Sequence, residues 1–326
     1  MRKRFFSKLA IVMSTALAVS GCFCPIDKAF VNAETIQDED DSYYDDDSDY
    51  DDSYDDSTDD SYDDSTDDSY DDSTDDSDNE ETTGTKIDDI KLSSSELQAF
   101  VKESDSDENG YISQSEAEKI TYVSISKKAS QSDLTQIIKL YPNISELMWN
   151  AGTLTKLTFP KNNIKRLNIT SKAASQLVIS GINQKLNNLS YTAQGSKKYA
   201  FNFAKGSAYK KVEDFNLMGK QINGVKLSNA EVGTLYVTDT SAKKIDASSD
   251  KIINLWVQNN KKLSSFTVRN CSKLKSVSCA YNALSRLNIS GCPKLLSVSC
   301  DRNKLTKLDI SKYKNLKSIS CGQNKL

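Results

Sequence analysis

The sequence predicts a mostly β repeat solenoid, a coil that winds in short turns of nearly constant length. The first observation is a repeat near the C-terminus, where equivalent turns begin at Leu274, Leu295 and Leu316. The second is that leucine, cysteine and asparagine occupy fixed columns within these turns. The third is that no turn contains the roughly 10 to 12 residues of amphipathic pattern that a helix needs. A short constant period of this kind is typical of solenoids, in which each unit buries its apolar edge only against its neighbours.

Each turn contains a segment of the form L-x-x-L-x-φ, in which φ is an apolar residue or, in the last turns, cysteine, and this spacing predicts a short strand. Alternate residues of a strand point to opposite faces, so the leucine and valine columns are expected to point inward and the residue between them outward. A second apolar trio should return on the other side of the coil, through irregular or 3₁₀ segments. Less regular copies of the pattern extend upstream, and the turns begin near positions 144, 164, 186, 212, 232, 252, 274, 295 and 316.

The two ends of the predicted solenoid, which spans 144–326, differ. Ile120, Val123 and Ile125 are expected to form an atypical capping turn. The chain stops at Leu326 within a turn, without a polar capping repeat. Since solenoid ends need protection, this pattern indicates either a partner that covers the edge or a truncated product.

The N-terminal segment 1–33 predicts export. The basic segment MRKRFF precedes the apolar LAIVMSTALAV, which is too short for a stable membrane span. Cleavage after Ala33 would give ordinary secretion, whereas Val19–Cys22 resembles a bacterial lipobox and would leave a lipid anchor on Cys22. Ordinary secretion is the preferred alternative. Both indicate a secreted or cell-surface bacterial protein without a transmembrane span.

Residues 34–84 are predicted to be a disordered acidic spacer. Between Asp38 and Glu81 the chain has 25 acidic residues and no lysine or arginine, and DDSYDDST is repeated three times over 51–74. These charges repel one another, and the segment has too few apolar residues to bury a core. Residues 82–326, in contrast, carry 37 basic and 19 acidic side chains. This excess favours anionic extracellular partners, although lysine also keeps a β-rich surface soluble.

A twelve-residue segment that begins at Asp105 matches the calcium-loop pattern D-x-[DN]-x-[DN]-G-x₅-E. Gly110 permits the sharp bend that this loop requires. The apolar stripe Leu97, Phe100 and Val101 predicts an entering helix, and Gln114–Ile120 an exit helix. The predicted Ca²⁺ ligands are Asp105, Asp107, Asn109, the Tyr111 carbonyl, Ser113 and Glu116. No second loop is present, so we expect weak binding, at roughly 10⁻⁴ to 10⁻³ M; the alternative is a loop that keeps this shape without an ion.

The order of these parts resembles the leucine-rich repeat surface proteins of anaerobic Firmicutes. The resemblance depends on D-x-D-x-N-G-x-I-S-x-x-E, followed by a short strand, a helix over Leu134–Leu140, and turns of the form L-x-x-L-x-C-x-x-N-x-L. The resemblance covers about residues 85–326. The middle turns depart from the family pattern, because Trp149, Leu217 and Val237 occupy the column that holds cysteine in the last turns. The resemblance implies an EF-hand-like cap over 85–143, a leucine-rich repeat solenoid, and a surface location.

Composition argues against an enzyme. The chain has no histidine, which removes Ser-His-Asp and Cys-His nucleophiles and most zinc sites. Five cysteines follow the signal segment, and Cys279, Cys300 and Cys321 share an inward column. They are expected to fill the core, with a disulfide between neighbouring turns as the alternative.

The strand face predicts where a ligand would bind. Tyr236 and Trp256 are outward residues of neighbouring turns, and adjacent aromatic side chains on a rigid face are typical of interface hot spots. The polar residues expected around them are Asp214, Asn216, Thr234, Asn254 and Gln258. We therefore expect an exported adhesion or recognition protein that binds an extracellular protein or glycan and no nucleic acid. The alternatives are a structural display protein without a specific ligand and a calcium-dependent glycan-binding component.

Overall fold

The computed structural model of the chain describes residues 83–227 and 230–326. This part of the chain is a mostly β solenoid, and the predicted fold class is confirmed: about nine turns follow one another at a spacing of about 21 residues. The predicted signal peptide, the alternative lipid anchor at Cys22 and the acidic spacer up to residue 82 lie outside the described residues.

Nineteen strands, three α-helices and two 3₁₀ helices (Ile87–Asp89 and Ser207–Tyr209) make up the regular structure of the described residues. The helices are α1 (Ser95–Ser104), α2 (Gln114–Lys119) and α3 (Gln131–Leu140). The first ten strands are β1 (Thr85–Lys86), β2 (Tyr111–Ile112), β3 (Tyr122–Ser124), β4 (Glu146–Gly152), β5 (Lys156–Thr158), β6 (Arg166–Ser171), β7 (Val178–Ser180), β8 (Leu186–Ala193), β9 (Tyr199–Asn202) and β10 (Lys211–Met218). The remaining nine are β11 (Ile222–Lys226), β12 (Glu231–Thr238), β13 (Lys244–Asp246), β14 (Asn254–Gln258), β15 (Ser265–Arg269), β16 (Ser276–Ser278), β17 (Arg286–Ser290), β18 (Ser297–Ser299) and β19 (Ser318–Ser320).

One side of the solenoid is a ten-stranded parallel sheet. Its strand order is β19-β18-β16-β14-β12-β10-β8-β6-β4-β3, so each turn adds one strand beside the previous one. The segment expected to form a capping turn supplies β3 as the first strand. Leucine and valine point inward along this sheet as predicted; Leu147, Leu235 and Val277, for example, are fully buried.

The return side is more regular than the sequence predicted. Where irregular or 3₁₀ segments were expected, β9, β11, β13, β15 and β17 form a second parallel sheet, and β5 pairs with β7. A 3₁₀ helix at Ser207–Tyr209 and the irregular segment 306–311 match the expectation. The return strands place apolar residues inward, such as Phe266 and Val268 of β15, and the chain between them is extended. Because neighbouring turns are in register, these extended segments satisfy one another's backbone groups as a parallel ladder.

An asparagine column holds the corners that follow the main sheet. Asn303 is nearly buried, and its Nδ2 donates to the carbonyls of Cys279 and Cys300 at 2.9 and 3.0 Å. Its Oδ1 accepts from the Leu284 N–H of the previous turn at 3.0 Å. Asn260, Asn282 and Asn324 make equivalent contacts. One amide side chain per turn therefore satisfies the backbone at a corner where the preceding residue has a positive φ, as at Arg302 (φ 53°).

The longest turn, between β8 and β10, contains an aromatic cluster in the core. Tyr191, Phe201, Phe203, Tyr209 and Phe215 are fully buried and make mostly edge-to-face contacts at centroid distances of 4.7 to 6.1 Å. The hydroxyl of Tyr191 accepts from the Leu177 N–H at 3.1 Å, and that of Tyr209 donates to the Leu177 carbonyl at 2.5 Å. The wider turn is thus filled by larger side chains, whose polar ends are paired.

Three helices cover the N-terminal end of the coil. Leu97 and Val101 of α1, with Leu134 and Ile137 of α3, belong to the same buried cluster as the solenoid core. The predicted exit and third helices correspond to α2 and α3, each of which begins with a capping box, at Ser113 and Ser130 respectively. Among the described helices, none is both long and apolar enough to cross a bilayer.

Candidate functional site

The acidic loop between α1 and α2 brings its carboxylates together. Ligand oxygens of Asp105, Asp107 and Glu116 lie within 4.8 Å of one another. Asp105 and Glu116 are buried, with 8% and 5% of their surface exposed, whereas Asp107 is exposed. Three carboxylates at this separation repel one another unless a cation or hydrogen-bond donors offset their charge.

Backbone donors fold the loop around Asp105. Its Oδ1 accepts from the Asn109 N–H at 3.2 Å, and its Oδ2 from the Gly110 N–H at 2.9 Å. Asn109 Oδ1 in turn accepts from the Tyr111 N–H at 2.8 Å. Gly110 has φ +85°, a left-handed conformation that glycine adopts without strain, which is the role predicted for it.

Glu116 is fixed by four hydrogen bonds from the loop and the start of α2. Its Oε1 accepts from the Ser106 N–H and hydroxyl at 2.5 and 2.7 Å, and its Oε2 from the Ser113 N–H and hydroxyl at 3.0 and 2.8 Å. Burial raises the pKa of this carboxyl, but the hydrogen bonds outweigh it and lower the pKa to about 2. Glu116 is therefore held as a carboxylate.

Asp107 behaves differently. The Asn109 N–H lowers its pKa, but partial desolvation and the neighbouring carboxyl groups of Asp105 and Glu116 together have the larger effect, so the pKa is raised. The direction of this shift reflects the concentration of negative charge at the loop.

The carboxylates thus fit the oxygen-rich shell that calcium prefers. The other predicted ligands have local roles: Ser113 caps α2, and Asn109 Nδ2 donates to Asp107 Oδ2 at 2.9 Å.

A short strand upstream completes the loop, which the sequence did not predict. β1 pairs antiparallel with β2, so that Lys86 lies opposite Tyr111 and Thr85 opposite Ile112. The Ile87 N–H also donates to the Gly110 carbonyl at 3.0 Å. The backbone of this loop is thus stabilised by residues 85–87.

The outer face of the ten-stranded sheet places Tyr236 and Trp256 side by side. The two residues are direct partners in the β12–β14 register. Their ring centroids lie 6.1 Å apart, and their planes differ by 18°. Both side chains are half-buried, so part of each ring is accessible to solvent.

Polar residues surround this aromatic pair in straight rows, because the strands are in register. Asp214, Thr234 and Asn254 form the row on one side. Gln258 lies on the other side, where its Nε2 donates to the Ser278 hydroxyl at 2.5 Å.

Access to these residues differs. Asn216 and Thr234 have only 6% and 9% of their surface exposed, whereas Asp214, Asn254 and Gln258 are half-buried. All seven predicted ligand residues therefore lie on one face, and five of them are open enough for a partner to touch.

The five described cysteines are free thiols. Burial raises the pKa of Cys279 well above its ordinary value and that of Cys300 to about 11. Cys271 and Cys292 lie at equivalent positions of neighbouring turns and share a hydrogen bond, which raises the pKa of Cys271 and lowers that of Cys292 to about 7. These four thiols are buried, as expected for side chains that fill the core.

A scan against protein-family models and a search of curated protein sequences both find no match to this chain.

Proposed function

We propose that this protein is an exported, non-enzymatic binding protein of the leucine-rich repeat type, which recognises an extracellular protein or glycan through the outer face of its ten-stranded sheet. The observation that carries the proposal is the pair of near-parallel rings of Tyr236 and Trp256, aligned on adjacent strands. Large aromatic side chains of this kind supply contact area at a low cost in conformational entropy.

The face around the pair is suited to recognition because it is rigid. The strands that carry Tyr236 and Trp256 are held on both sides by parallel neighbours, β10 and β16. Asp214, Asn254 and Gln258 then offer charged and amide groups at fixed positions beside the rings. A partner that buries the rings can therefore form oriented hydrogen bonds at their edge without ordering a loop.

A binding screen tests this proposal. The full-length chain is incubated with glycan and extracellular-protein arrays, in parallel with the double variant Y236A/W256A and the control S299A/S320A, whose serines lie on the same face in later turns. We expect to find ligands that bind the wild-type chain and S299A/S320A but do not bind Y236A/W256A. Ligands that bind all three proteins equally would refute the proposed site.

We further propose that calcium stabilises the loop of the cap, held by Asp105, Asp107 and Glu116. Bound Ca²⁺ would offset the mutual repulsion of these carboxylates. For a dissociation constant of roughly 10⁻⁴ to 10⁻³ M, 5 mM calcium would stabilise the folded chain by about 1–2 kcal/mol.

Thermal unfolding with calcium or EDTA measures this effect. The gain in stability should disappear in D105N/E116Q and persist in D88N/D89N, which removes two carboxylates outside the loop. If wild type unfolds identically with calcium and with EDTA, the loop has a purely structural role. Repeating the array screen in EDTA shows whether ligand binding depends on calcium.

A further inference from the structure

The last turns of the solenoid are strongly basic. Between residues 251 and 326 the chain has 15 lysine and arginine residues and two acidic residues, Asp301 and Asp309. Both carboxylates accept hydrogen bonds from neutral neighbours: Asp301 from the hydroxyls of Ser299 and Ser320, and Asp309 from that of Ser311. The positive charge of this region is therefore not neutralised by its own acidic residues.

Four of these lysines converge on one shallow groove. Lys275, Lys294, Lys314 and Lys317 line a depression of about 480 Å³ with Asn315, and Leu296 and Leu316 provide its apolar part. All four lysines are exposed. We call this feature the lysine groove. No carboxylate lines it, so any solute that enters is surrounded by positive charge alone.

The lysines of this groove have no acidic partners within the described part of the chain. The ion pairs there join Arg166 to Glu146, Lys185 to Glu213, Lys251 to Asp250, and Arg269 to Asp246. None of them involves the lysine groove. Four like charges that lack counter-charges favour the binding of anions, which lowers their mutual repulsion.

The spacing of the groove is fixed by the solenoid backbone. Lys275 and Lys317 precede β16 and β19 at equivalent positions, two turns apart. The Leu296 N–H donates to the Lys275 carbonyl at 2.8 Å, and the Lys317 N–H to the Leu296 carbonyl at 2.8 Å. Since neighbouring parallel strands lie about 4.8 Å apart, the two lysine backbones are separated by about 10 Å along the solenoid axis. Lys294 and Lys314 extend from the intervening loops.

We propose that the lysine groove binds a linear polyanion that carries phosphate or sulfate groups. Positive side chains that repeat along the solenoid axis match a ligand whose negative groups also repeat along its length. The ammonium group of lysine is a compact point charge that binds phosphate without requiring the planar, bidentate geometry that favours arginine. The groove is shallow and lacks aromatic walls, which suits a polymer backbone better than a small ring. This site is separate from the Tyr236–Trp256 face, so either proposal can fail without the other.

The test uses the full-length chain, fluorescently labelled long-chain polyphosphate and dextran sulfate, and fluorescence anisotropy. The variant K275Q/K294Q/K314Q/K317Q removes the groove charges. The control K243Q/K244Q/K261Q/K262Q removes the same number of exposed lysines from turns outside the groove. Thermal unfolding of the three proteins establishes that they are equally folded.

We expect both probes to bind wild type at 50 mM NaCl and to bind more weakly at 300 mM, because salt screens exposed charges. The groove variant should bind at least about tenfold more weakly, since four surface ion pairs are lost. The control should lose less than about threefold. Equal losses in the two variants, or no binding by wild type, would overturn the proposal. Equally tight binding of poly-glutamate would assign the groove to acidic proteins and would also overturn the proposal. Tighter binding of polyphosphate than of dextran sulfate, or the reverse, shows whether the groove prefers phosphate or sulfate groups.

Discussion

Replacing Asn303 by alanine should destabilise the solenoid more than any surface change in the same turn. The side chain makes four hydrogen bonds to backbone groups, three as donor and one as acceptor. The carbonyls of Cys279 and Cys300 each retain another amide donor, from Asn282 and Asn324. The buried Leu284 N–H, in contrast, loses its acceptor.

The magnitude follows from these partners. A buried N–H without an acceptor, here that of Leu284, lowers the free energy of unfolding by about 1–3 kcal/mol. Loss of the hydrogen bonds from Asn303 to the carbonyls lowers it by a further net amount of about 1 kcal/mol. We therefore expect N303A to lose about 2–4 kcal/mol. Asn288, an exposed residue of β17, provides the control; N288A should change stability by less than about 0.5 kcal/mol.

Urea unfolding, followed by the fluorescence of Trp149 and Trp256, measures both variants. Neighbouring turns stabilise one another, so damage at Asn303 should lower the midpoint detected by Trp256. Unfolding free energies for N303A and N288A that agree to within about 0.5 kcal/mol would show that the asparagine column does not hold the corners.

Two further predictions concern titratable groups. The folded-state pKa of Glu116 is about 2, below its ordinary value of 4.5, so the stability that this carboxylate contributes is present above pH 4.5 and is lost as the pH falls towards 2. In EDTA, the stability of wild type relative to E116Q should thus decrease between about pH 5 and pH 2, and a constant difference over that range would contradict the assignment. Under native conditions, a maleimide should modify the half-buried Cys321 first and Cys279 only on unfolding, because Cys279 is buried and its thiol pKa is raised. Modification of Cys279 as fast as Cys321, measured by peptide mass, would show that the core opens readily.

The main sheet was predictable from sequence because its signal repeats. Val277 and Val298 occupy the same column, and the structure places them opposite each other on β16 and β18. Tyr236 and Trp256 could be assigned as neighbours for the same reason, since the register follows directly from the period. The tight turn around Asp105 could also be predicted, because the backbone donors to its carboxylate lie close to it along the chain, at Asn109 and Gly110.

Other features depend on contacts that a single turn does not reveal. The return strands pair only because turns such as β15 and β17 align, and their sequence alone also suits an irregular segment. Strand β1 is very short and has no apolar pattern, so its pairing with β2 could not be predicted. The lysine groove combines Lys275, Lys294 and Lys314, which occupy three different columns of two neighbouring turns, and lysines elsewhere in the chain give the same local pattern.

The affinity of the double variant Y236A/W256A for a ligand selected on the arrays tests the account most directly. If the aromatic pair is the centre of the binding surface, the two rings together should contribute about 3 kcal/mol or more, and the dissociation constant should rise at least about 100-fold. The urea midpoint should change little, because both rings lie on the outer face of the sheet. A dissociation constant within about threefold of wild type, in a variant that is equally stable, would contradict the proposal that this face recognises the partner.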